Sequence, residues 1–222
     1  MIISKELKYI YLAVPKTGTT SIQNFLLSND SSANKNFIKI KNKSFKFGEH
    51  MTALEVKEIL GDHYTNFKVI GFIRHPYGRI VSSYFFYKKG AKSWAWEGRE
   101  NKKPTEQKFK ILYAKITPFW FWALTYPYKS NIEYFYDENN NLIVDIENIG
   151  LFENLEEHFK NIYRKNNIAF KDNLPHKNKS KHKPEDQYFK NLFFRKIISF
   201  KIKADLAFYN KVALKRQNEF KS

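Results

Sequence analysis

The chain has 222 residues, enough for one domain with a sizeable core, and its lack of cysteine excludes disulfides and thiolate metal sites. Lys and Arg outnumber Asp and Glu by 39 to 22, a formal charge of +17 that favours anionic partners: nucleotides, acidic glycans, nucleic acid or an anionic membrane. No apolar run in the sequence approaches the length of a membrane span.

Met1–Lys8 lacks the apolar centre of a signal peptide and runs straight into the first strand, so a soluble, cytoplasmic enzyme is expected. Residues 9–14 (YIYLAV) form a short apolar, β-prone run that reads as a buried strand. Pro15 to Thr20 is a loop with one glycine, and from Ser21 the positions Ile22, Phe25 and Leu26 take helical spacing. Residues 29–48 are rich in Lys, Asn and Ser and read as irregular. Met51–Leu60 reads as a helix stopped by Gly61, and residues 67–73 (FKVIGFI) as a second buried strand. Arg74–Gly78 then reads as a turn and Arg79–Lys88 as a helix.

Residues 89–130 hold Trp94, Trp96, Trp120 and Trp122 among many lysines and read as helices and loops. Aromatic residues make up 18% of the chain, and their concentration between 84 and 136 suits a surface or groove as well as a core. Asn139–Asn141 reads as a turn before a third strand, Leu142–Ile146, followed by a helix over 153–165. Residues 171–184 are a strongly basic loop, and helices close the chain. Strands followed by helices imply an α/β fold with a mainly parallel sheet, with no repeat or linker to divide it.

Two motifs carry chemistry. Pro15-Lys16-Thr17-Gly18-Thr19-Thr20-Ser21 follows the first strand and opens a helix. Gly18 lets the backbone curve so that amide groups share one concavity, and the helix adds the positive end of its dipole. Lys16 adds a full charge; Thr17, Thr19, Thr20 and Ser21 add hydroxyls. A nucleoside-triphosphate loop places its lysine after a second glycine and a Ser/Thr on magnesium. Here the lysine precedes the only glycine, and Asp145 is the sole carboxylate near a strand end available to hold a metal. The loop therefore suits a phosphate-like group without metal. The bland alternative is an ordinary strand-to-helix turn capped by Thr and Ser.

The second motif runs Arg74-His75-Pro76-Tyr77-Gly78-Arg79 through Ser82. An arginine fork at a strand end and a hydroxyl in the next helix suit a second, separate phosphate. Taken singly, Arg74, Arg79 and Ser82 would be ordinary surface charges and a helix-face serine.

With both motifs in order, the sequence resembles the PAPS-dependent sulfotransferases, and most closely the carbohydrate group (sulfotransferase family 2) that includes Golgi chondroitin and heparan 2-O enzymes and many bacterial relatives. GEHMTALEVKEILG (48–61), GLFENLEEHF (150–159) and NLPHKNKSKHK (173–183) extend the likeness over nearly the whole chain. The resemblance implies a P-loop-like three-layer fold, a central sheet flanked by helices, in a single domain over 1–222 with 89–136 as an acceptor-side insertion. It implies PAPS (3′-phosphoadenosine 5′-phosphosulfate) as donor, with no metal. Lys16 would contact the oxygen bridging phosphate and sulfate, and Thr17, Gly18, Thr19, Thr20 and Ser21 would hold the 5′-phosphate. Arg74 and Ser82 would hold the 3′-phosphate, and Asn178, Lys179, Ser180 and Lys181 match a late basic loop that closes over the nucleotide.

His50 stands where the family carries a histidine and is the expected general base; Glu49 is its rival, and His63, His158, His176 and His182 are weaker candidates. The expected acceptor is a hydroxyl of a glycan, glycolipid or small glycoside, with the tryptophans as platforms for sugar rings. Two departures bear on it. His75 and Gly78 replace the Asn and Asp of many relatives, and 116–136 lacks their His-x-x-Pro-Gln pattern. A P-loop small-molecule kinase and a basic nucleic-acid-binding protein are the competing expectations. The first would need ATP and magnesium, and the second would bind polynucleotides with steep salt dependence.

Overall fold

The computed structural model describes residues 1–40, 43–90, 104–168, 170, 174 and 183–219. Packing divides the chain into two compact units. One comprises Met1–His75, Lys129–Lys179 and Ala204–Ser222; the other comprises Pro76–Tyr128 and Ser180–Lys203. The strands in chain order are β1 (Ile2–Ser4), β2 (Tyr9–Leu12), β3 (Ala33–Lys35), β4 (Phe37–Ile40), β5 (Lys43–Lys46), β6 (Lys68–Ile73) and β7 (Ile149–Leu151). The helices are α1 (Thr19–Asn29), α2 (Ala53–Leu60), α3 (Pro76–Lys88), α4 (Pro104–Ile116), α5 (Phe119–Thr125), α6 (Leu155–Lys165), α7 (Leu192–Lys201) and α8 (Lys203–Glu219).

The first unit carries the sheet, in the order β3-β1-β2-β6-β7. β2, β6 and β7 run parallel, and β1 pairs antiparallel with both β2 and β3. A strand covered on both faces reads as a continuous apolar run, and all of Tyr9–Leu12 is fully buried. The two-residue pleat splits these side chains between two cores. Ile10 and Leu12 join Val69 and Ile73 on one face, packed with Ala53, Val56 and Leu60 of α2 and with Phe208 and Val212 of α8. Tyr9 and Tyr11 join Ile70 and Phe72 on the other, packed with α1 and α6. Ile22, Phe25 and Leu26 of α1 and Phe159, Ile162 and Tyr163 of α6 share the same i, i+3, i+4 stripe. The fold is thus α/β with a central sheet flanked by helices, as the strand–helix alternation implied.

Four local expectations are corrected. Residues 1–8 hold a strand of their own, β1 (Ile2–Ser4), folded back on β2 through a turn with Lys8 at a left-handed φ of 53°. Residues 29–48 are not irregular; they hold β3 and the antiparallel pair β4 and β5. Only Ile38 and Phe45 of that pair are buried, with Ile40 packed partly against the same core, so the apolar alternation is short and is lost among lysines. The third parallel strand is Ile149–Leu151, not Leu142–Ile146, where Leu142 makes only an isolated bridge to Tyr136. Asp145 explains the interruption: its carboxylate accepts from Glu147 N and starts a single 3₁₀ turn over Ile146–Asn148. Finally, α3 starts at Pro76 rather than Arg79, since proline's fixed φ suits the first turn of a helix and its missing N–H costs nothing there.

In the second unit the aromatic residues make the core. Trp122 is fully buried, stacked on Tyr126 at 4.4 Å and near Tyr84 at 5.4 Å, while Tyr77 meets Phe189 at 4.6 Å. Lys201 closes the end of α5, its ammonium donating to the carbonyls of Leu124 and Tyr126 at 2.7 and 2.9 Å. Partial burial lowers its pKa from the ordinary lysine value. Of the four tryptophans, Trp122 is core and Trp120 is exposed; Trp94 and Trp96 lie outside the described residues. No helix among the described residues is long and apolar enough to cross a membrane.

Candidate active site

Because β2, β6 and β7 are parallel neighbours, the segments that follow them leave from one edge of the sheet, where α/β proteins bind ligands. The loop after β2 has left-handed backbone at alternate residues, Lys16 at φ 70° and Gly18 at φ 77°. Such alternation turns successive N–H groups into one concavity that suits an anion. Gly18 is also the N-cap of the 11-residue α1, with no side chain capping it and no acidic residue in the first turn. The positive end of the helix is therefore not neutralised from within its own first turn. A Cβ on Gly18 would lie 3.1 Å from Leu155 Cδ2 and 3.2 Å from Phe152 Cε2, at a φ that only glycine adopts freely.

The threonines divide their roles. Thr17, fully buried, and Thr19 both donate their hydroxyl protons to Val14 O at 2.8 Å. In this arrangement they brace the loop, and what they bring to an anion is backbone N–H. Thr20 is exposed at the start of α1, and Ser21 is buried with its amide donating to Gly18 O. Tyr11 lies fully buried beneath; burial pushes its phenol well up, so the group flanking Thr17 and Thr19 is neutral and does not repel an anion.

Arg74 follows β6 and is 9% exposed, its guanidinium 4.5 Å above the Phe152 ring. Phe152 thus touches the position of Gly18 with one edge and supports Arg74 with its face, bringing both phosphate motifs to one aromatic spacer. The backbone around Arg74 is clamped by distant residues. Asn131 Nδ2 donates to Arg74 O at 3.3 Å, and Asn131 N and Ser130 Oγ donate to Asp205 Oδ1, each at 2.7 Å. Glu153 accepts from His75 N at 2.9 Å and from Tyr209 Oη at 3.1 Å. Phe152, Asn131, Glu153 and Asp205 were not singled out from the sequence. Phe152 and Glu153 lie inside the GLFENLEEHF stretch, directly after β7, but nothing in composition marks Asn131 and Asp205.

His50 Nδ1 lies 2.6 Å from Ala13 O, at the exit of β2. A carbonyl only accepts, so Nδ1 carries the proton and the neutral ring keeps its basic lone pair on Nε2. Neighbouring Glu49 is engaged elsewhere, its carboxylate 3.9 Å from Lys35 Nζ. His158 is a structural group, its Nδ1 accepting from Leu151 N at 2.9 Å, and His63 meets the Phe45 ring at 6.0 Å. Lys16, Gly18, His50 and Arg74 all belong to the first unit, whereas Ser82 is buried in α3 of the second. Asn178, Lys179, Ser180 and Lys181, with His176 and His182, lie outside the described residues. Among the described residues no group of three or more His, Asp or Glu is placed to hold a metal ion.

An uncapped helix start, a concave loop and a backed arginine lie together on one edge of an α/β sheet, an arrangement whose chemistry suits an anionic group. The sequence profile of the Sulfotransferase family matches residues 1–210, and the chain belongs to that family; it is an enzyme of sulfuryl transfer. No curated protein and no solved structure matches it.

Proposed function

We propose that the enzyme moves the sulfuryl group of PAPS to a hydroxyl of a carbohydrate or glycoconjugate by in-line displacement, with His50 as general base. The observation that supports this most is the His50–Ala13 hydrogen bond, which ties the imidazole to the strand exit feeding the anion loop and places a ring proton on Nδ1. His50 Nε2 takes the acceptor's proton as the acceptor oxygen bonds to sulfur. Lys16 stabilises the electron pair that returns to the bridging oxygen as its bond to sulfur breaks. Thr17, Gly18, Thr19, Thr20 and Ser21 hold the 5′-phosphate, through the loop amides that precede Ser21, whose own N–H is taken by Gly18 O. Arg74 and Ser82 hold the 3′-phosphate, and Asn178, Lys179, Ser180 and Lys181 close over the nucleotide. The whole chain acts as one sulfotransferase domain in the cytoplasm, with 89–136 serving the acceptor, and the charge of +17 draws a polyanionic donor.

The test is a thermal-shift comparison. Adenosine 3′,5′-bisphosphate should raise the melting temperature in the presence of EDTA, while ATP with magnesium should do so far less. Stabilisation by ATP alone would overturn the donor assignment. Phe152→Ala should raise the KM for the donor by about ten-fold, with a smaller change in kcat, because it removes the shared support of Arg74 and the loop. An unchanged KM would show that Phe152 does not set the spacing of the two phosphate sites.

A further inference from the structure

Exposed large apolar side chains gather on three helices of the second unit. On α7, Phe193, Ile197 and Phe200 recur at i, i+4 and i+7, and the two phenylalanines are 75% and 76% exposed. Leu192, at the start of the same helix, is 79% exposed, and only Ile198 of α7 is buried. On α4, Phe109, Leu112 and Ile116 recur at i, i+3 and i+7 and are all exposed; on α5, Trp120 is exposed. A soluble protein seldom leaves so many bulky apolar groups at helical spacing in water without a partner for them.

The charges interleaved with these side chains say which partner fits. α4, α5 and α7 contain Lys108, Lys110, Lys115, Arg195, Lys196 and Lys201 against one carboxylate, Glu106. Lys115 and Lys196 are exposed, and Lys203, next to α7, holds its ammonium 5.3 Å from the Phe200 ring. A second copy of this chain would set these cations against their own kind. An anionic lipid surface answers both features at once, taking the aromatic groups at headgroup depth and the lysines at the phosphates.

We propose that α4, α5 and α7 form an interfacial docking surface for anionic phospholipid bilayers, lying on the membrane without spanning it. Phe193 and Phe200 enter the headgroup region, and Lys115, Lys196 and Lys203 meet the lipid phosphates. Binding then needs both apolar contact and opposite charge, as is usual for a peripheral protein without a lipid anchor. Phe193 and Phe200 lie on α7, outside the acceptor-side segment 89–136, so replacing them tests the surface apart from the sulfuryl-transfer chemistry.

The experiment is flotation of the full chain with vesicles of phosphatidylcholine containing 30% phosphatidylglycerol or none, the lipid fraction being a choice of roughly physiological surface charge. The wild type should float with the anionic vesicles at low salt and largely release at high salt. Phe193→Ser with Phe200→Ser should weaken that association on the order of ten-fold or more while leaving the melting temperature and the adenosine 3′,5′-bisphosphate shift unchanged. Equal flotation of the double variant would overturn the docking surface, since general basicity would then suffice. So would an absence of flotation by the wild type. A wild-type dimer in light scattering that the double variant converts to monomer, with no vesicle binding, would overturn it in favour of contact between copies.

Discussion

Lys16→Ala should lower turnover on the order of a thousand-fold while leaving the bisphosphate-induced thermal shift largely in place. The physical ground is differential: the ammonium matters most when the bridging oxygen takes up charge, and less when donor simply sits in the loop, whose amides still grip the 5′-phosphate. Position 16 adds a second readout. Its φ of 70° is strained for any residue with a Cβ, and the protein holds a lysine there against that cost. Lys16→Gly removes charge and strain together, so it should match or exceed the wild-type melting temperature while being as inactive as Lys16→Ala. Kinetics and calorimetry on the two variants separate the roles. Near-normal turnover in either would remove Lys16 from the chemistry.

The parts of this site that sequence made legible are those written in consecutive residues. The loop Pro15–Ser21 announces itself because strand, glycine, hydroxyls and helix follow one another, and α2 does so through the stop signal at Gly61; its capping box, with Thr52 and Glu55 bonding reciprocally, emerges only in the structure. β2 and β6 are legible because burial on both faces leaves unbroken apolar runs. What was not legible is pairing at a distance. The three-residue β7 is too short to show a period, and its place depends on Asp145 ending the extended run before it. Phe152 acquires its role only when β7 lies beside β6, and the Asn131–Asp205 clamp on Arg74 joins residues 74 apart in the chain. The pair β4 and β5 escapes notice for a different reason: each strand has four residues, β5 buries Phe45 alone and β4 only Ile38 with Ile40 beside it, too few to show a pattern among the surrounding lysines.

Replacing His50 gives the sharpest test of the base, because the hydrogen bond to Ala13 and the proton transfer can be removed separately. His50→Asn keeps an amide N–H able to reach Ala13 O but has no basic nitrogen; His50→Ala loses both. Both should lose about 10² to 10⁴ in kcat, the usual worth of a positioned general base. The Asn variant should retain the full nucleotide-induced thermal shift, and the Ala variant should lose some of it if the ring also props the strand exit. The sign of the pH effect follows from the tautomer: protonation at Nε2 removes the acceptor lone pair, so wild-type kcat/KM should fall on the acid side, and that limb should vanish in both variants. Added imidazole should restore part of the rate to His50→Ala, where the space is open, and little to His50→Asn. Glu49→Gln removes a charge that faces Lys35 and the Met1 ammonium and should stay within a few-fold of wild type. If Glu49→Gln instead abolished the acid limb while His50→Asn kept the rate, the base would be Glu49 and the imidazole a prop for the loop.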